Sequence, residues 1–236
     1  MNQQTRDRLA AVSTATLTTV LFKRGFRNAF LQGPRLINPA APRLVGPAYT
    51  LRYIPAREDL DTLDAFLDAG HPQRRGIEEC PPGAVFVVDS RGDGRAASAG
   101  GILLTRLMRR GVAGAVTDGG FRDTPELAAM PWPTYHAAPS APTNLIRHHA
   151  ADVQVPIACG EVAVYPGDIM VGDGEGVVCI PAHLADAVAA EAFEQTVVED
   201  FVQERVEAGQ SIRGLYPMTD PANRTLLAEW RKRVGR

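Results

Sequence analysis

The feature that most constrains this chain is the run from Ala84 to Gly120, where two short apolar segments flank an amphipathic one. The first, "GAVFVVDS", is apolar and β-branched and closes on Asp89-Ser90, which is the pattern of a buried strand. The middle segment, "AASAGGILLTRLMRRG", puts Leu103, Leu104, Leu107 and Met108 on one helical face and turns Arg106, Arg109 and Arg110 outward. Gly111 follows as a C-cap. "VAGAVTDGG" is the next strand and its turn. Strands joined through a crossover helix pair in parallel, so the chain is expected to be an α/β protein.

The flanks add helices at both ends. "DRLAAVSTATLTTVLFKRG" reads as helix in two pieces, the second capped by Ser13 or Thr14 and ended by Gly25. "RLVGPAYTLRYI" reads as a strand. The polar stretch from Pro55 to Pro82 is expected to hold a short helix at Asp59–Leu67, a loop, and a second short helix ending at Pro81-Pro82. "VQVPIACG", "VAVYPGDIMVGD" and "GVVCIP" are short strands spaced for a compact barrel or sandwich layer. A long helix from Ala182 ends near Gly209. One domain over residues 1–236, with N-terminal and C-terminal helices, is the simplest organisation.

Composition excludes several function classes. The net charge of −2 offers no basic field for nucleic acid. No apolar run has the length of a membrane span, and the N-terminus lacks a signal core, so a cytoplasmic location is expected. Cys80, Cys159 and Cys179 are odd in number and form no C-x-x-C pair, which predicts buried free thiols. The histidines (His71, His136, His148, His149, His183) show no metal-ligand spacing, and His148-His149 is placed at a helix end. "GDGEGVV" lacks the Lys-Ser/Thr of a phosphate loop and reads as a hairpin turn.

The chemistry gathers at the ends of the central unit. Gly100-Gly101 precedes a helix whose first amides, Ile102, Leu103 and Leu104, lack intrahelical partners and form an anion site. Arg122 follows the next strand and faces the same end of the sheet, so a carboxylate would lie between backbone amides and a guanidinium. Asp123 offers one hard oxygen ligand, the usual protein contribution to a hydrated Mg²⁺. From spacing alone, a solvated Arg-Asp turn is the commoner explanation of the dipeptide.

Four blocks carry a family resemblance: "STATLTTVL", "LVGPAYTL", "RGVAGAVTDGGFRD" and "VPIACGEVAVYPGDIMVGDGEGVVCIP". Over most of its length the chain resembles the RraA-like proteins, which include the 4-hydroxy-4-methyl-2-oxoglutarate and 4-carboxy-4-hydroxy-2-oxoadipate aldolases. The resemblance implies an α/β/β sandwich with a small barrel-like core, assembled as a homotrimer or hexamer with the active site between subunits. It implies that Arg122 binds the carboxylate of a 2-oxo acid and that Asp123 holds Mg²⁺ or Mn²⁺ largely through water. The amides near Ile102 and Leu103, after Gly100 and Gly101, complete the pyruvate pocket, and Glu199 of a neighbouring subunit takes part. The implied activity is metal-dependent aldol cleavage of a 4-hydroxy-2-oxo acid to pyruvate, with oxaloacetate decarboxylation as a side activity. Lys23 and Lys232 are the only lysines and lie near the ends, which disfavours a lysine imine.

Two departures stand out. The acid that the aldolases carry twenty-one positions before the arginine is Gly101 here. The insert-like segment "REDLDTLDAFLDAGHPQRRG", residues 57–76, carries His71, Arg74 and Arg75. It either reshapes a neighbouring pocket or, more plainly, forms a surface or trimer-contact loop. His136 or Asn144, in the polar loop after the next strand, would be within reach of a substrate, although a plain turn explains that loop too. The alternatives to a lyase are a non-catalytic regulator that binds a ribonuclease and a dehydratase of a sugar-derived 2-oxo acid.

Overall fold

The computed structural model describes residues 1–236. Helices α1 (Gln3–Ala11) and α2 (Thr14–Lys23) meet at Ser13, whose hydroxyl accepts from the Thr16 amide and caps the second. Strands β1 (Arg35–Leu36) and β2 (Leu44–Pro55) follow, then a 3₁₀ turn at Leu63–Leu67 and α3 (Pro72–Glu79). The central unit runs β3 (Val85–Asp89), β4 (Ala97–Ala99), α4 (Gly101–Arg109) and β5 (Gly114–Thr117). Next come β6 (Gly120–Phe121), α5 (Thr124–Ala129), β7 (Thr134–His136) and β8 (Ala138–Pro139). Strands β9 (His148–Val153), β10 (Ile157–Cys159), β11 (Val162–Val164), β12 (Ile169–Gly172) and β13 (Val177–Ile180) precede α6 (Ala185–Glu207) and α7 (Pro221–Val234).

The expected parallel pairing holds: β3 pairs in parallel with β2 and β5, and β5 with β7. The main sheet runs β1-β7-β5-β3-β2-β12-β13. The long β2 splits its other edge, pairing with β12 through Leu44–Pro47 and with β9 from Leu51 onward. A register shift at Arg52/Tyr53 accompanies the β9 pairing, so the sheet curls into a half-barrel.

Three cores explain why the strands are so apolar. Phe86 and Val88 of β3 enter one core with Leu104 and Leu107 of α4. Val85 and Val87 point the other way, into a core shared with Leu44, Met170 and the β10–β11 hairpin. A strand buried on both faces reads as a continuous apolar run. The third core joins α1, α2 and α6 to the outer faces of β12 and β13. The cysteines are free and buried, as expected, and burial pushes the Cys80 thiol up to about 12. No helix is long and apolar enough to cross a membrane.

Two sequence expectations need correction. Only Leu63–Leu67 of the expected Asp59–Leu67 helix is helical, and only as 3₁₀. Leu63 and Leu67 are exposed, so no core face stabilises a longer helix. His148-His149 lies on β9 rather than at a helix end, because the preceding turn stops at Arg147 and His149 pairs with Ile54. The remaining strand reading holds with one refinement. The chain bends after β5 at Asp118-Gly119 and starts a separate, parallel three-stranded sheet, β4-β6-β8. Asp118 fixes the bend by accepting from the amides of Ser90, Gly92 and Gly160. Close packing requires the glycine there, since a Cβ at Gly119 would lie 2.4 Å from that of Ser90.

Candidate active site

Two chain exits from the small sheet build the site. Strand β4 leads through Gly100 into α4, and β6 leads through Arg122 and Asp123 into α5. Their parallel register, Ala97 to Gly120 and Ala99 to Phe121, places the exits side by side. The Arg122 amide donates to the Ala99 carbonyl at 3.1 Å. The Gly101 amide donates to Asp123 Oδ2 at 2.8 Å. Asp123 adopts a left-handed backbone, φ 60° and ψ 38°, a strained state for a non-glycine residue and a recurrent feature of functional corners.

The glycine pair has two distinct roles. A Cβ at Gly100 would lie 2.6 Å from Arg122 Cγ and 2.7 Å from Asp123 Oδ2, so only glycine allows this approach. A Cβ at Gly101 would meet Asp123 only at ordinary contact distances of 3.4 Å and beyond. A Cβ therefore fits at Gly101.

These exits open into a cavity of about 270 Å³. Ile102, Leu103, Arg122 and Asp123 line one side, together with Gly100. The free amides are those of Ile102 and Leu103. The expectation that Leu104 joins them is corrected: Gly100 is the N-cap, so the Leu104 amide already donates to the Gly100 carbonyl at 3.1 Å. Arg122 is about half exposed, its side chain at 47%, and its only ionic contact is Nε to Asp123 Oδ2 at 3.6 Å. Its terminal nitrogens remain free for a ligand.

The other side of the cavity comes from two segments that the sequence had raised as candidates, residues 57–76 and the loop that holds Asn144. Phe66, Gln73 and Arg74 line it, so the 57–76 segment is a pocket wall rather than only a surface loop. Asn144 and Thr143 complete the lining, whereas His136 stacks on Phe121 and stays outside it. Gln73 sits in the first turn of α3, placed there by Pro72 at the helix start. For Gln73 itself, which the sequence did not single out, that proline is the local signal. Glu199 is not part of this cavity within one chain; its carboxylate accepts from Thr16 on α2 and from Gln195. Asp93 also lies elsewhere. Hydrogen bonds from Arg95, supported by Arg147, hold its carboxyl well below the usual range.

Asp123 is the only carboxylate lining the cavity, and no cluster of three or more His, Cys, Asp or Glu side chains could hold a metal. Asp123 Oδ2 is engaged by the Gly101 amide, which leaves Oδ1. One carboxylate oxygen, with waters and substrate oxygens, suits a hydrated divalent cation such as Mg²⁺.

A family profile described as "RraA-like: Aldolase/RraA" matches residues 12–179. The chain belongs to the RraA-like family. Relatives and solved structures agree. A Halalkalibacterium halodurans protein provisionally named 4-hydroxy-4-methyl-2-oxoglutarate aldolase is 32% identical over 167 residues, 69% of this chain and 71% of its own. A Thermus thermophilus protein named 4-hydroxy-4-methyl-2-oxoglutarate aldolase is 33% identical over 46% of this chain and 65% of its own. Streptomyces coelicolor RraAS2, described as an unusual member of the RNase ES inhibitor RraA protein family, superposes with a TM-score of 0.76 at 29% identity. That match covers 86% of this chain and 97% of RraAS2. This RraA-like chain carries Arg122 and Asp123 inside the matched region and Glu199 outside it.

Proposed function

We propose that this RraA-like protein is a lyase that cleaves a 4-hydroxy-2-oxo acid to pyruvate with the help of a divalent cation. One observation carries the reading: the Arg122 guanidinium, the free Ile102 and Leu103 amides and the Asp123 carboxylate all meet in one cavity. The aldolase names of its relatives support the same reading.

The residues divide the work by charge. Arg122 binds the substrate carboxylate, and the Ile102 and Leu103 amides add directed donors from the start of a helix. Asp123, anchored through Oδ2, would hold Mg²⁺ or Mn²⁺ through Oδ1 and water; such a cation stabilises negative charge on the 2-oxo group as the C3–C4 bond breaks. Gly100 keeps Arg122 and Asp123 at the helix start. The 4-hydroxyl must lose its proton and C3 of the product must gain one; Glu199 of an adjacent subunit is proposed for this transfer. Neither lysine lines the cavity, which disfavours an imine route: Lys23 Nζ donates to Gln195, and Lys232 is on α7.

The test is pyruvate release from a panel of 4-hydroxy-2-oxo acids and oxaloacetate, with Mg²⁺ and with chelator. Release that chelator abolishes supports the reading. Full release in chelator removes the cation's role, and no release from any substrate overturns the lyase. Gly101 in place of the aldolase acid favours a second reading, a protein-binding regulator of a ribonuclease. That reading requires a ribonuclease complex that survives Arg122→Ala.

A further inference from the structure

The small sheet that builds the site has an irregular register. Ala97 of β4 pairs with Gly120 of β6, and Ala99 pairs with Phe121, so two steps along β4 match one step along β6. Ser98 is the extra residue, a bulge on β4. Counting along the strands gives its consequence. From Ala97 and Gly120, a regular ladder would bring Gly101 opposite Thr124. With the bulge, Gly100 falls opposite Arg122 and Gly101 opposite Asp123. The contacts agree: a Cβ at Gly100 would lie 2.6 Å from Arg122 Cγ, and the Gly101 amide donates to Asp123 Oδ2 at 2.8 Å.

Buried polar bonds hold the bulge in place. The Ser98 side chain is buried, and its Oγ donates to the Gly120 carbonyl at 3.0 Å, across to the strand that leads into Arg122. The same hydroxyl closes a triangle with Ser90 Oγ at 2.7 Å and Thr117 Oγ1 at 3.0 Å, whose own separation is 2.9 Å. Three hydroxyls carry three protons; with Ser98's on Gly120, two remain for the triangle's three edges. Ser90 directly follows β3 and Thr117 ends β5, so the triangle joins the small sheet to the main one. The Ser98 carbonyl accepts from the Tyr53 hydroxyl at 3.0 Å and from Gln73 Nε2 at 2.7 Å. These bonds offset the ladder pairing that a bulge disrupts.

We propose that Ser98 is a positioning residue of the site: its hydroxyl pins the bulge that sets Gly100-Gly101 opposite Arg122-Asp123. Ser98 does not line the cavity and touches no substrate. It acts through register, which fixes where the Arg122 guanidinium and the anchored Asp123 carboxylate stand relative to the Ile102 and Leu103 amides. Without the pin, the Gly120 carbonyl loses a buried donor and the regular register competes, drawing Gly101 away from Asp123. The effect on turnover rests on the lyase reading, whereas the effect on register does not.

The experiment compares Ser98→Ala with Ser90→Ala. The second removes an equally buried hydroxyl from the same triangle but keeps the bond to Gly120, so it controls for lost packing and polarity. Both variants should lower the melting temperature by a few degrees. The deciding readout is amide hydrogen exchange at Gly101, followed by NMR of protein carrying isotope-labelled glycine. At the helix start this amide reports its local bond to Asp123 rather than global unfolding. Ser98→Ala should exchange there about tenfold faster than wild type, and Ser90→Ala should match wild type within about twofold. In pyruvate release, Ser98→Ala should lose about tenfold or more in kcat/KM and Ser90→Ala less than about twofold. Ser98→Cys keeps a weaker donor and should recover part of both losses; it carries the same comparison if Ser98→Ala does not fold. Unchanged exchange in Ser98→Ala, or equal effects of the two variants, would overturn the proposal. So would full turnover by Ser98→Ala. If wild type cleaves no substrate, the lyase reading has failed and exchange alone decides the register claim.

Discussion

At the scale of single residues, adjacent glycines behave as opposites. Gly100→Ala forces a Cβ against Arg122 and Asp123, so lower thermal stability and weaker turnover are expected. In Gly101→Asp the added Cβ has room, and an acidic residue in the first turn of a helix together with the loss of a flexible helical glycine offsets the repulsion from the neighbouring Asp123 carboxylate. It is expected to leave the melting temperature unchanged or raised by a few degrees, up to about 1 kcal/mol. It should also raise metal-dependent turnover. Thermal unfolding and kcat/KM of the two variants check both statements, and a large loss of stability in Gly101→Asp would contradict the space described there. Arg122, Asp123 and the glycine pair were legible in the sequence because each is local to a strand exit. The 57–76 segment, with Arg74, could be read as able to shape a pocket, but Gln73 and Phe66 could not be singled out. They reach the cavity only because the segment after β2 folds back across the small sheet, and no local pattern encodes that path.

Elements show the same division. Strands β2, β3, β5, β12 and β13 could be read because their apolar runs are long enough to show a pattern. The three-stranded sheet was invisible: β4, β6 and β8 have two or three residues each, too few for a period, yet they carry the site. The "GDGEGVV" turn was read correctly as a hairpin, but its packing role was not. Asp173 in that turn accepts from the Thr14 amide and hydroxyl, each at 2.8 Å, and so ties the β12–β13 hairpin to the start of α2. Burial alone would raise its pKa, but the hydrogen bonds from Thr14 and the nearby Arg43 outweigh it and the carboxyl is held low. Asp173→Asn is expected to cost about 1–3 kcal/mol at neutral pH. A depressed carboxylate stabilises the fold above its unfolded pKa of about 3.9 and loses that effect as pH falls. The stability gap between wild type and Asp173→Asn, measured by denaturant unfolding, should therefore shrink from pH 7 to pH 3. A gap independent of pH would mean that the charge is irrelevant.

For the whole molecule, the question is how Glu199 could serve a cavity it does not line. It lies on α6, facing Thr16 on α2, in the helical layer behind the outer faces of β12 and β13. Only a second copy could bring such a residue to Arg122, which is why a trimer or hexamer with shared sites is proposed. Subunit mixing tests this. Arg122→Ala and Glu199→Gln proteins, each inactive, should regain about a quarter of wild-type activity when unfolded and refolded together at equal amounts, because a quarter of the random pairings rebuild an intact site. No recovery in mixed oligomers would place Glu199 outside the site.

The most direct test concerns Arg122 as the anchor of the 2-oxo acid. Pyruvate release by Arg122→Ala should be measured against wild type with Mg²⁺ present, alongside thermal unfolding of both. Because Arg122 is half exposed and packs no core, the melting temperature should move by no more than about 2 °C, while kcat/KM falls at least about a hundredfold. Full turnover by a stable Arg122→Ala protein would contradict the proposed site.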